Sequence, residues 1–192
     1  MFIFYWSFKI IFKILGWKIV SYIPKNITKG VLIVAPHTSN WDAFYGLGTM
    51  FIYRIRTKFA IKRAALFFPL GFILKKLGAV AIDRDSQSEH SHRGKDTVKT
   101  LADLFEKEKS LILVIAPEGT RKYVKRWRTG FYHIALHANV PIIPGFIDYA
   151  KKEVGVGPIF YPTGNIDQDI KELMSFYLDK SGKYPENEVR LK

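Results

Sequence analysis

The chain has 192 residues, and 48% of them are hydrophobic. This is enough for one folded domain with a sizeable core, so a largely disordered protein is excluded. The absence of cysteine excludes disulfide bonds, thiolate metal sites and covalent cysteine catalysis. The net charge is +13, most of it carried by residues 1–84, which favours an anionic partner such as nucleic acid, an acidic protein or anionic lipid.

The first predicted element is an amphipathic helix at the amino terminus, assigned to residues 1–23. Its apolar and aromatic sequence is interrupted by Lys9, Lys13 and Lys18. Lysines in the middle of a membrane-spanning helix would each cost about 2.5–3.5 kcal/mol, so the pattern favours a helix that lies in the membrane interface as an anchor. A helix packed into the core of the domain is the alternative, because an apolar run alone does not distinguish the two.

Strands alternate with helices through the rest of the chain, residues 24–192. Apolar runs predict strands over residues 31–35, 59–62, 78–84, 111–116 and 142–146, with an edge strand over 153–161. Amphipathic patterns predict helices over residues 41–54, 67–77, 96–107, 130–138 and 166–178. This alternation is typical of a single α/β domain with a mixed, mostly parallel sheet flanked by helices.

A histidine and an aspartate follow the first buried strand. His37 and Asp42 are five residues apart, which on a continuous helix would separate them by about 140°. We therefore expect His37 to precede the helix and Asp42 to lie in its first turn, from where the carboxylate reaches back to the imidazole. Such a pair acts as a general base and its orienting group. Alternatively, Ser39 to Asp42 form only a capping-box-like helix start, and His37 is an ordinary loop histidine.

Two further strands end in polar residues, namely Arg84, Glu118, Gly119, Thr120 and Arg121. Because the carboxyl ends of parallel strands meet at one edge of a sheet, we expect these residues to share a crevice with the His–Asp pair. A guanidinium suits bidentate phosphate binding, and Gly119 permits a close approach to the backbone. For each arginine, a solvated charge at a strand end is the alternative. The sequence has no Gly-x-Ser-x-Gly motif, which argues against a serine hydrolase.

In this order, these residues resemble the glycerophospholipid acyltransferases, especially the lysophosphatidic acid acyltransferase (1-acylglycerol-3-phosphate O-acyltransferase) family. The matching blocks are His37-x4-Asp42, Gly78 to Arg84, Glu118 to Arg121, and Val140 to Pro144. Four blocks in the same order make a chance match improbable.

The resemblance implies an O-acyltransferase in which His37 is the base on a lysolipid hydroxyl that attacks an acyl thioester, while Asp42 orients His37. It also implies an acceptor phosphate site. The implied substrate-binding residues are Arg84, Glu118, Gly119, Thr120 and Arg121, with Pro141 shaping the acyl pocket. The co-substrate would be acyl-CoA or acyl-ACP, with no metal or redox cofactor. His133 and His137 are four apart but have no third ligand nearby in the sequence, so no metal site is expected.

The family resemblance also implies a membrane partner, so we expect a peripheral or monotopic protein on the cytoplasmic face of the membrane that works in phospholipid biosynthesis. Ala116 stands where the family usually has an aromatic residue, and the segment 122–130 is shorter than usual. Both changes lie near the acceptor, so a lyso-aminolipid is an alternative to a lysophosphatidate. A non-catalytic basic module that binds nucleic acid is the alternative from another class, supported only by charge and scattered aromatic residues.

Overall fold

The computed structural model describes residues 2–63, 69–82 and 92–189. In this part of the chain the strands are β1 (Lys18–Ile19), β2 (Lys29–Val34), β3 (Thr57–Lys62), β4 (Ala79–Ile82), β5 (Leu111–Ile115), β6 (Ile142–Asp148) and β7 (Glu153–Val156). The helices are α1 (Phe2–Leu15), α2 (Trp41–Tyr53), α3 (Leu70–Lys76), α4 (His92–Lys107), α5 (Gly130–His137) and α6 (Ile166–Ser175), and a 3-10 turn covers Pro185–Asn187.

The strands form one sheet in the order β1-β7-β6-β2-β5-β3-β4. Among the described strands only β6 and β7 pair antiparallel, and every other neighbouring pair is parallel. The predicted α/β fold with a mostly parallel sheet is therefore confirmed. The prediction of an edge strand over residues 153–161 is wrong in two respects. The strand, β7, ends at Val156, and β1 pairs with its outer side, so β7 is not at the edge of the sheet.

The amino-terminal helix is shorter than the predicted one. It ends at Leu15, and Gly16 adopts a φ of 75°, a left-handed conformation that glycine enters without steric cost. The chain then turns into β1, and the Trp17 ring is buried against Tyr45 and Tyr149. Lys18 consequently lies in strand β1 and not at the end of a helix. The sequence pattern does not predict this strand, because two residues are too few to show a periodicity.

Helices cover both faces of the sheet, so the central strands β2 and β5 are continuously apolar. On one face Val31 and Leu113 pack with buried residues of α4, α5 and α6. On the other face Leu32 and Ile112 lie in a cluster that includes residues of α2. The carboxyl ends of β2 and β5 are thereby held side by side at one rim of the sheet, where the predicted site residues begin.

Helix α1 packs along α2 through a glycine contact. A Cβ atom at Gly48 would lie 2.5 Å from the Phe8 ring, so α1 approaches this closely only because the position has no side chain. Phe12 is buried at the same contact. The inner face of α1 thus belongs to the core. None of the helices in the described part of the chain combines the length and hydropathy needed to cross a bilayer.

Candidate active site

The loop between β2 and α2 carries the predicted histidine. Helix α2 begins at Trp41, and Asn40 precedes it without a side-chain capping bond. The helix start is capped instead by Ser39, whose Oγ accepts a hydrogen bond from the Trp41 N–H at 3.2 Å. The strand β2 and this short cap fix the position of His37 from both sides.

Asp42 reaches back to His37 as the spacing predicted. Its Oδ2 atom lies 3.0 Å from His37 Nδ1 and also accepts the backbone N–H groups of Thr38 and Ser39 at 3.0 and 2.9 Å. The capping arrangement and the His–Asp contact are therefore one structure and not competing alternatives. Since a carboxylate only accepts, Nδ1 carries a proton, and in the neutral imidazole the lone pair is then on Nε2. Asp42 is buried, whereas 25% of the His37 side chain is exposed.

Glu118 follows β5 and supports the same loop. Its side-chain oxygens accept the His37 backbone N–H at 3.0 and 3.2 Å, and only 2% of the residue is exposed. Burial raises the pKa of Glu118 to about 8, and the negative charges of Asp42 and Glu188 act in the same direction. The carboxyl group thus lies behind the histidine and faces its backbone. A direct contact of Glu118 with substrate stays a prediction.

Tyr149 is a residue of this site that the sequence reasoning missed. It follows directly after β6, and its phenol donates a hydrogen bond of 2.6 Å to Asp42 Oδ1. The rule that selected His37, a polar residue at the carboxyl end of a buried strand, applies equally to Tyr149. The apolar pattern predicts a strand that ends at residue 146, two residues before β6 ends, so Tyr149 does not follow directly after the predicted strand.

The other predicted residues are placed differently. Gly119 has a φ of 69°, and Thr120 Oγ1 accepts the Lys122 N–H at 3.4 Å. Arg121 is exposed in the loop after β5, next to the strand whose end carries His37. These residues share the predicted edge of the sheet with the His–Asp pair. Arg84 lies outside the described residues.

Pro141 lies at the opposite end of the strands. It precedes β6, and its carbonyl accepts the Val31 N–H at 2.9 Å near the start of β2. Six residues separate Val31 from His37, which corresponds to about 20 Å along a strand at roughly 3.3 Å per residue. The structure therefore does not bring Pro141 beside His37, and its contribution to an acyl pocket stays a prediction.

A segment near the carboxyl terminus, residues 181–184, covers the histidine loop. The Ser181 carbonyl accepts the Tyr149 N–H at 2.8 Å, and the Tyr184 N–H donates to Thr38 Oγ1 at 3.1 Å. The Lys183 ammonium lies 5.1 Å from the centre of a Trp41 ring. We call residues 181–184 the strap, because they join the loop that carries His37 to the hairpin that carries Tyr149.

Comparison with known proteins gives the family of this fold and site. A model of the Acyltransferase family matches residues 18–148, which is more than half of the chain. The chain belongs to the Acyltransferase family. The predicted family resemblance is thereby confirmed. The matched range includes His37, Asp42 and Glu118, and it ends one residue before Tyr149.

Similar acyltransferases come from plants and bacteria. Proteins from Limnanthes douglasii and Limnanthes alba named 1-acyl-sn-glycerol-3-phosphate acyltransferase are each 29% identical over 124 residues, which cover 62% of this chain and 41% of the plant protein. A protein of the same name from Haemophilus influenzae is 27% identical over 141 residues, covering 70% of this chain and 55% of the bacterial protein. The chain spans about half the length of the curated relatives it matches.

Proposed function

We propose that this acyltransferase-family chain moves a fatty acyl group from acyl-CoA or acyl-ACP to the hydroxyl of a lysophosphatidate-like lysolipid. The supporting observation is the hydrogen bond of 3.0 Å between His37 Nδ1 and Asp42 Oδ2, which leaves Nε2 free on a partly exposed ring. The printed names of the relatives, 1-acyl-sn-glycerol-3-phosphate acyltransferases, support this class of acceptor.

The chemistry follows from the free nitrogen. His37 Nε2 takes the proton of the lysolipid hydroxyl while the hydroxyl oxygen attacks the thioester carbonyl carbon. A carbon–oxygen bond forms, the carbon–sulfur bond breaks, and the imidazolium returns its proton to the leaving thiolate. The buried Asp42 carboxylate stabilises the imidazolium between these steps. The acceptor itself is the nucleophile, so no serine or cysteine of the chain is needed.

The acceptor phosphate is assigned to the cationic residues of the same edge. Arg121 is exposed in the loop after β5 and offers a guanidinium that can bind phosphate through two parallel hydrogen bonds. In this proposal Arg84 contributes a second guanidinium, and Gly119 and Thr120 shape the loop. The buried Glu118 supports the site by accepting a hydrogen bond from the His37 backbone N–H.

Helix α1 supports attachment to a membrane surface. Ile3, Trp6, Ile10 and Ile14 are exposed, and their spacing of three and four residues places them on one side of the helix, opposite Phe8 and Phe12. Ile3 is 76% exposed and Ile14 is 77% exposed. We call these four residues the outer stripe. An apolar stripe of this kind on a surface helix fits insertion into the headgroup region, with Lys9 and Lys13 beside it for anionic lipids.

This surface combines the two alternatives that the sequence left open. Phe12 packs into the core while Ile10 and Ile14 face outward on the same helix. We therefore infer a peripheral or monotopic protein whose anchor helix is also part of the folded domain. The proposal places the protein on the cytoplasmic face of the membrane.

The reaction is tested with the purified full chain and a labelled acyl group on CoA or on acyl carrier protein. Each donor is offered to lysophosphatidate, to other lysophospholipids and to a lyso-aminolipid. We expect transfer to lysophosphatidate at the highest kcat/KM. Preference for the lyso-aminolipid would reassign the acceptor, and transfer to none of the acceptors would contradict the proposed function. Tighter binding to nucleic acid than to lipid at physiological salt would favour the basic-module alternative.

Membrane attachment is tested with vesicles of phosphatidylcholine and phosphatidylglycerol. The double variant Ile10→Glu, Ile14→Glu changes only the outer stripe, and we expect at least tenfold weaker vesicle binding because burying two isoleucines is worth about 3 kcal/mol or more. Leu136→Glu is the matched control, since Leu136 is an exposed apolar residue on α5. A folded double variant that binds as well as the unchanged chain would contradict the anchor.

A further inference from the structure

The two oxygens of the Asp42 carboxylate have different partners. Oδ2 accepts hydrogen bonds from the His37 ring and from the Thr38 and Ser39 backbone. Oδ1 accepts the Tyr149 phenol at 2.6 Å. A carboxylate held by a donor on each oxygen has one orientation of its plane, so the phenol and the loop together determine how Asp42 faces His37.

Tyr149 is itself held by three parts of the chain. Its backbone N–H donates to the Ser181 carbonyl in the strap. Its ring contacts Trp17 and Tyr45 edge-on, with centres 5.2 and 5.8 Å apart. The neighbouring Asp148 fixes the hairpin turn, because its Oδ1 accepts the N–H groups of Ala150 and Lys151 at 3.0 and 3.1 Å. These contacts hold the Tyr149 phenol in the position from which it donates to Asp42.

We propose that Tyr149 is a positioning residue for the acyl transfer, acting through Asp42 to orient the carboxylate and to set the basicity of His37 Nε2. This inference rests on the proposed function for its kinetic consequences only. Tyr149 does not contact the reacting atoms, and it lies one residue beyond the range that the family model matches.

Several titratable groups surround the Tyr149–Asp42 contact. Tyr45 of α2 and Tyr184 of the strap act on Tyr149. Asp42 and Glu188 act on Glu118, which lies in the loop after β5. Burial, together with the hydrogen bond to Asp42, raises the pKa of Tyr149 well above its ordinary value. The phenol therefore keeps its proton and remains a donor near neutral pH. Glu118 bonds to the His37 backbone, and its effect is common to the unchanged chain and to a Tyr149 variant.

Removal of the Tyr149 phenol is expected to raise the pKa of His37. In Tyr149→Phe, Oδ1 loses its donor and the carboxylate bears more negative charge toward His37. The imidazolium is then stabilised and the pKa of His37 rises. Because the base must be neutral, the acid limb of the kcat profile moves to higher pH. We expect kcat to fall about tenfold, the low end for loss of a hydrogen bond to a charged group, with KM changed less than about twofold.

The decisive experiment measures the pKa of His37 by NMR titration of the full chain, which needs no substrate. The His37 signal is identified by its loss in His37→Ala. Tyr132→Phe is the matched control, because the Tyr132 phenol makes an equivalent bond of 2.7 Å to the buried Asp169. We expect Tyr149→Phe to raise the pKa of His37 and Tyr132→Phe to leave it unchanged. In an Asp42→Asn background, Tyr149→Phe should have no further effect.

A second variant keeps the fold intact should the phenylalanine destabilise it. Replacing Tyr149 by 3-fluorotyrosine keeps the ring and makes the phenol a stronger donor, so the pKa of His37 should fall. An unchanged pKa of His37 in both Tyr149 variants, or an equal rise in Tyr132→Phe, would overturn the inference. The expected shifts in a chain that transfers no acyl group would refute the proposed function but not the positioning by Tyr149.

Discussion

In the described part of the chain, two buried aspartates accept a tyrosine phenol, one in the candidate site and one outside it. Tyr149 donates to Asp42 over 2.6 Å, and Tyr132 donates to Asp169 over 2.7 Å. Both carboxylates are almost inaccessible to solvent. The two pairs are alike in residue type, geometry and burial, so the difference between them lies in the remaining hydrogen-bond partners.

Asp169 accepts its other hydrogen bonds from the backbone and hydroxyl of Thr163, which do not change charge near neutral pH. Burial acts to raise the pKa of Asp169, but these bonds and the Tyr132 phenol outweigh it and lower the pKa. Asp42 instead contacts the His37 ring, which is partly exposed and belongs to a residue type that serves as a general base. A buried Tyr–Asp pair thus becomes part of a candidate active site when its third partner can exchange a proton with a substrate.

The largest expected effect comes from removing that third partner. In His37→Ala the base is lost while the buried aspartates remain, and turnover should fall on the order of 10²–10⁴-fold, the usual contribution of general-base catalysis. Acyl transfer and thermal unfolding are measured together. His137→Ala, which removes an exposed histidine of α5, is the control and should retain full activity. Near-normal turnover in folded His37→Ala protein would remove His37 from the mechanism.

Substituting the two aspartates separates their roles. Asp42→Asn should lower kcat by about 10²-fold, since the imidazolium loses its carboxylate, with the fold retained. Asp169→Asn should leave kcat nearly unchanged and reduce the free energy of unfolding by about 1–3 kcal/mol, because its buried donors lose a charged acceptor. Urea unfolding and kcat are recorded for both variants. Equal losses of activity in the two would show that the site depends on general packing.

The pH dependence of stability is expected to involve Glu118, whose carboxyl group is also buried. Its pKa of about 8 exceeds the ordinary value of 4.5, so between these pH values the folded chain keeps a proton that the unfolded chain has released. The free energy of unfolding should therefore fall as the pH rises from 4.5 through 8.

Glu118→Gln tests this dependence, because glutamine retains an acceptor for the His37 N–H and does not titrate. Urea midpoints of the variant should decline less over that window than those of the unchanged chain. Parallel declines in both proteins would assign the pH dependence to other groups.

Much of the fold follows from local pattern. Buried strands and amphipathic helices are each set by a periodicity within the segment, and His37 and Asp42 lie close because the start of α2 brings them together over five residues. Contacts between distant segments have no such local signal. The β1 strand pairs with β7 through only two residues, Lys18 and Ile19, and the Tyr149 phenol meets Asp42 across 107 positions of sequence.

The direction of a side chain is equally hard to infer from a motif. Glu118 stands among residues that suit a phosphate site, yet its carboxyl group is buried against the His37 backbone. Pro141 belongs to a block of the same family resemblance, yet it lies at the other end of β6 from Tyr149. The rim of the sheet at which a motif lies depends on the direction of its strand, and the pairing of the strands determines that direction.

Gly48 has a consequence for engineering the chain. Because this position admits no methyl group beneath Phe8, the inward residues of α1 are fixed by the shape of α2, the helix that begins beside His37. The outer stripe instead faces away from α2 and is exposed. Under the proposed attachment, these four residues determine which membrane surface the chain binds. Substituting these residues is then expected to change the membrane surface to which the chain attaches while the candidate site is retained.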